Sequence, residues 1–118
     1  MEEKMTNEEL NEYLARFMEY DPGESIGYAP SWYFKLEWMK PVRYQKVILI
    51  SEWNPTEDRN QMAWCEEKIT NPLVRGEYVN QLANICGLNN KYHVVNLYYL
   101  ITASPHQRAE ALYKTMEG

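Results

Sequence analysis

Tyr92-His93-Val94-Val95-Asn96-Leu97-Tyr98-Tyr99-Leu100-Ile101 alternates as a strand does, with Val94, Tyr98 and Leu100 on one face and Val95, Leu97, Tyr99 and Ile101 on the other. A strand with one solvated face would show polar residues at every second position. Apolar side chains on both faces place this segment centrally, between two covering layers. The reading predicts one domain over residues 1–118 with an α+β fold of three layers, a small, mainly antiparallel sheet lying in the middle.

The covering helices are marked by their ends. Downstream, Ser104-Pro105-His106-Gln107 predicts a capping box with proline at the first helical position, followed by Ala109, Leu112 and Tyr113 as a packing face. Upstream, Asn71-Pro72 marks a break, and Val74, Tyr78, Leu82 and Ile85 predict a helix that ends at Gly87. Asn54-Pro55-Thr56-Glu57 predicts an earlier helix running to about Ile69, with Asn54 as its cap and Glu57 and Asp58 complementing its dipole. Met62, Cys65 and Ile69, with Trp64 nearby, form its expected buried side. Thr6-Asn7-Glu8-Glu9 reads as a second capping box opening a helix from Asn7 to Met18, whose apolar stripe is Leu10, Tyr13, Leu14 and Phe17. Asp21-Pro22-Gly23 reads as the turn that stops it, and residues 1–5 are expected to be disordered.

Two further extended stretches lie between these helices. From Ser31 to Met39 the period is two, with Trp32, Phe34, Leu36 and Trp38 as the apolar face and Tyr33 and Lys35 opposite. After Pro41, Val42 to Ile50 continues as a strand whose second half is apolar on both sides, which predicts cover on both faces. The expected core is Leu14, Phe17, Met62, Ile69, Val95, Leu97, Tyr99 and Leu112.

Hydrophobic residues make up 45% and charged residues 25%, the balance of an ordinary globular chain. Ten tyrosines, four tryptophans and two phenylalanines are hard to bury in one small domain, so a homodimer or higher homo-oligomer is expected. The net charge of −5 is uneven: residues 1–24 hold eight acids and two cations, and the remaining chain is close to neutral. That balance argues against binding duplex nucleic acid, which requires several cations on the phosphates. Val47-Ile48-Leu49-Ile50 is the longest aliphatic run, too short to cross a bilayer, so no membrane association is expected. Acids in MEEKMTNEEL stand where a secretory leader carries cations, which predicts a cytoplasmic protein, in a host cell given the resemblance below, and reduced thiols at Cys65 and Cys86.

Trp53-Asn54-Pro55-Thr56-Glu57-Asp58 followed by Met62-Ala63-Trp64-Cys65-Glu66-Glu67-Lys68-Ile69, together with Thr102-Ala103-Ser104-Pro105-His106-Gln107-Arg108-Ala109-Glu110-Ala111-Leu112, resembles the phage ABA sandwich domain family. Asn7 to Met18 would be that family's opening helix. The resemblance implies a phage or prophage origin and an α/β/α sandwich, and brings no catalytic residue with it. Residues 22–50 and 73–86 depart from the family pattern.

No motif in the chain carries a reaction. Cys65, Cys86, His93 and His106 are spaced 21, 7 and 13 residues apart, without the close pairing that zinc sites use, so no metal and no cofactor is expected. His106 reads as a surface residue. Glycine-rich phosphate loops and nucleophile elbows are missing, and the chain is not expected to be an enzyme.

The segment Ser31 to Ile48 differs from an ordinary surface. Lys35, Lys40, Arg43 and Lys46 interleave with Trp32, Tyr33, Phe34, Trp38 and Tyr44, and only Glu37 opposes them. Aromatic faces beside cations hold bases by stacking and phosphates by charge. Lysines on an edge strand also serve simply to block unwanted pairing, and both readings stand at this point. Tyr33 and Lys35 share one face, and Arg43 is a nearby guanidinium able to take a phosphate; these three are the candidate ligand-binding residues. The expected function is a non-catalytic phage or prophage accessory protein that binds a host protein or a small nucleotide-like ligand, for example in counter-defence. The alternative is a structural or assembly protein acting only through protein contacts.

Overall fold

A computed structural model describes residues 5–23, 29–86 and 102–117. Helix α1 spans Asn7–Phe17, and its capping box is formed as expected: Glu9 N donates to Thr6 Oγ1 and Thr6 N to Glu9 Oε1, each at 3.1 Å. Its end differs from expectation. Glu19 takes a left-handed φ of 63° just past the cap at Met18, and this residue, rather than Asp21-Pro22-Gly23, turns the chain. Tyr20–Gly23 then pairs as strand β1, and Pro22 is tolerated there because, among the described residues, β1 has a neighbour on one side only.

Strand β2 (Ser31–Leu36) lies between β1 and β3 (Arg43–Leu49), and both pairings are antiparallel. Trp32 faces Ile48 and Tyr33 faces Lys46, which leaves Val47 as an extra residue in a β-bulge. β2 stops at Leu36, so Trp38 falls in the connecting turn, where it is 78% exposed rather than part of the core. The expected double cover of Val47 to Ile50 is also not formed among the described residues. Val47 is 37% exposed and Ile48 to Ile50 half-buried, because among the described residues β3 is an edge strand packed chiefly on β2.

A 3-10 turn (Ile50–Glu52) leads to helix α2 (Arg59–Glu67). Its cap is Asp58, whose carboxylate accepts from Asn60 N and Gln61 N, and not Asn54. Asn54 is occupied elsewhere: its side-chain oxygen accepts from Asn11 Nδ2 and Thr56 Oγ1, both at 3.0 Å, a tie to α1 that local sequence cannot reveal. Met62, Cys65 and Ile69 are buried as expected, while Trp64 is 45% exposed. Asn71 caps α3 (Pro72–Ile85), with Pro72 in its first turn. The Ser104/Gln107 capping box opens α4 (Pro105–Glu117), which packs on α1, α2 and α3.

The described residues form one α+β domain with four α-helices and a three-stranded antiparallel sheet. Its core is built from Leu10, Leu14, Trp32, Trp53, Met62, Leu82 and Leu112, with Phe17 partly buried at its margin. The segment 92–101, with Val95, Leu97 and Tyr99, lies outside the described residues, as do residues 1–4; Met5 packs against the core. No helix among the described residues is long and apolar enough to cross a membrane.

Candidate functional site

Residues paired across antiparallel strands share a face, so the register decides which of the basic and aromatic side chains meet. Tyr33 lies opposite Lys46, and Lys35 opposite Tyr44. The four form a block in which each aromatic has a cation across from it and another two positions along its strand. Trp32, Phe34 and Leu36 alternate onto the other face, where Trp32 is 5% exposed and Phe34 meets Tyr20 edge-on at 6.5 Å.

Arg43 pairs with Leu36 and therefore belongs to that opposite face. The structure brings Tyr33 and Lys35 together and leaves Arg43 out; Tyr44 and Lys46 stand in its place. Sequence reasoning could not place them, because the turn over residues 37–42, with Pro41 in it, breaks the count of two between the strands. Gly23 supports the block from below: a Cβ there would come within 2.8 Å of Tyr33 Cδ2 and Cε2, so the missing side chain lets the Tyr33 ring lie against β1. Lys35 also meets Glu37 at 3.6 Å, an exposed pair of small net worth that a ligand anion can displace.

A second group joins α2, α3 and α4. Glu66 Oε2 accepts from Tyr78 Oη at 2.9 Å and from Arg108 Nη1 at 3.1 Å, while Arg108 Nε donates to the Ala103 carbonyl. Arg75 Nε donates to the Ile69 carbonyl nearby. A cleft of about 390 Å³ opens beside Glu66, Arg75 and Tyr78. Burial, and then the Glu66 charge, push the Tyr78 hydroxyl well above its ordinary value, so it stays a proton donor to Glu66 at neutral pH. The groups satisfy one another, and their chemistry is that of a tie between helices.

Cys65 and Cys86 are free. The Cys65 thiol is fully buried, and desolvation followed by the neighbouring Glu66 charge pushes it up to about 12, which removes it as a nucleophile. Disulfide reagents at pH 8 are expected to modify at most one thiol in the folded protein and both in urea; rapid reaction of two native thiols would contradict this burial. His106 is half-buried rather than freely exposed, with Nε2 2.5 Å from Glu110 Oε1 one turn along α4. His93 lies outside the described residues, and among those described no three histidine, cysteine or acidic residues cluster as metal ligands.

Comparison with protein families, characterised proteins and solved structures yields no match to this chain.

Proposed function

We propose that the protein is a non-catalytic accessory protein of phage or prophage origin, working in the host cytoplasm, that binds a small anionic, nucleotide-like ligand on the outer face of its sheet. The observation that carries this reading is the cross-strand block of Tyr33, Lys35, Tyr44 and Lys46, which offers two aromatic faces and two ammonium groups to one solvent region. The phage context rests on the likeness of segments 53–69 and 102–112 to the phage ABA sandwich family.

The test is calorimetric titration of cyclic and linear nucleotides. Wild type is expected to bind with an affinity that falls as salt rises. Lys35→Ala/Lys46→Ala is expected to weaken binding at least about tenfold, and Arg43→Ala, on the opposite face, by much less. No binding by wild type, or equal loss in the two variants, would remove the site.

A second reading, an assembly protein acting through protein contacts, is favoured by one specific feature. The turn between β2 and β3 exposes Trp38 and Val42, at 78% and 44%, beside Lys40 and Arg43.

A further inference from the structure

We infer that this turn docks into a cleft at the base of α1 on a second copy of the same chain. The cleft, about 350 Å³, has Trp32, Trp53 and Ile50 among its apolar walls and Glu8 and Glu12 of α1 at its edge. It matches the turn in both shape of chemistry and sign of charge: an exposed indole and a valine flanked by two cations meet an aromatic-walled hollow flanked by two carboxylates. Among the described residues Lys40, Arg43, Glu8 and Glu12 have no ion-pair partner within the chain. Arg16 of the same helix is held by Asp21 at 3.7 Å and lies over the Trp32 ring at 5.6 Å. Trp32, in the cleft wall, has its indole Nε1 buried without a hydrogen-bond partner among the described residues.

The occupant must come from another molecule. Trp32, in the cleft wall, and Leu36, before the turn, are four residues apart along β2, about 13 Å, and the turn carries Trp38 further still. A chain cannot fold its own turn back over that length of strand. Each contact therefore joins the turn of one copy to the cleft of the next, and one tryptophan, one valine and two ion pairs make a small interface with an affinity in the micromolar range. The inference is independent of the nucleotide reading, because it uses Trp38, Lys40 and Arg43 rather than Lys35 and Lys46.

The experiment uses the full chain and two variants altered only at exposed positions. Wild type is expected to sediment above its 14.1 kDa monomer mass as concentration rises toward 1 mM, less so at high salt. Trp38→Ala/Arg43→Glu lacks the turn, and Glu8→Gln/Glu12→Lys lacks the cleft, so each alone is expected to remain monomeric with an unchanged circular dichroism spectrum. Mixed, they are expected to form a one-to-one pair that grows no further, since the mixture contains one intact turn and one intact cleft. A wild type that stays monomeric at every concentration, a cleft variant that still self-associates, or a mixture that stays monomeric would each overturn the inference.

Discussion

Trp53→Ala is expected to lower the stability of the fold by about 3–5 kcal/mol, whereas Trp38→Ala should change it by less than about 0.5 kcal/mol. Trp53 is 4% exposed, its ring meets Tyr20 edge-on at 5.6 Å, and its indole Nε1 donates to the Asn11 carbonyl of α1 at 2.7 Å. It follows directly on the 3-10 turn that leaves the sheet, so one side chain joins β1, α1 and the approach to α2. Truncation leaves a cavity in a position where three elements would have to move to close it, and it also removes a hydrogen bond. Trp53→Phe separates the two losses, since most of the packing stays while the indole donor, worth about 0.5–1.5 kcal/mol, is lost. Urea midpoints for the three variants check the order; a loss below about 1 kcal/mol for Trp53→Ala would contradict its place in the core.

The contrast between these two tryptophans shows where sequence reasoning stops. The capping boxes at Thr6/Glu9 and Ser104/Gln107 were legible because both partners lie within four residues, and nothing distant competes for them. Asn54 fails for the complementary reason. It has the side chain of a cap, but Asn11, 43 residues earlier in the chain, claims it, and Asp58 takes over the helix start. Trp38 continues the period-two pattern of Trp32, Phe34 and Leu36, yet periodicity carries no mark of the residue at which pairing ends.

The same limit governs the candidate site. Alternation within β2 correctly put Tyr33 with Lys35 and away from Trp32 and Phe34. Relating that face to β3 requires the register across the turn that contains Pro41, which no local periodicity fixes. Arg43 is near only in sequence, while Lys46 and Tyr44 lie on the face of Tyr33 and Lys35. The Glu66–Tyr78–Arg108 tie was not legible at all, since its members come from three helices and no local spacing relates them.

Stability is expected to fall steeply above pH 9. Cys65 acts first: burial holds its thiol near 12 in the folded protein, against an ordinary value of 9.0. Below pH 9 the folded and unfolded chains both keep this proton, and the full stability is present. Between pH 9 and 12 the unfolded chain releases it while the folded chain retains it, so each pH unit favours unfolding by about 1.4 kcal/mol and the whole interval by about 4 kcal/mol. Tyr13, Tyr20 and Tyr78 act in the same direction from about pH 10, because burial raises all three, with Tyr13 and Tyr78 raised further by hydrogen bonds to Glu117 and Glu66. Against a total stability of about 5–15 kcal/mol, the cysteine alone removes a large part of what holds the domain together. Urea midpoints at pH 7, 8, 9, 10 and 11 read the effect directly. Cys65→Ala is expected to start less stable at pH 7, because the thiol leaves a small cavity, but to lose stability more slowly between pH 9 and 10, where the tyrosines contribute little. Wild type and Cys65→Ala losing stability in parallel over that interval would show that the thiol is not held in a desolvated site.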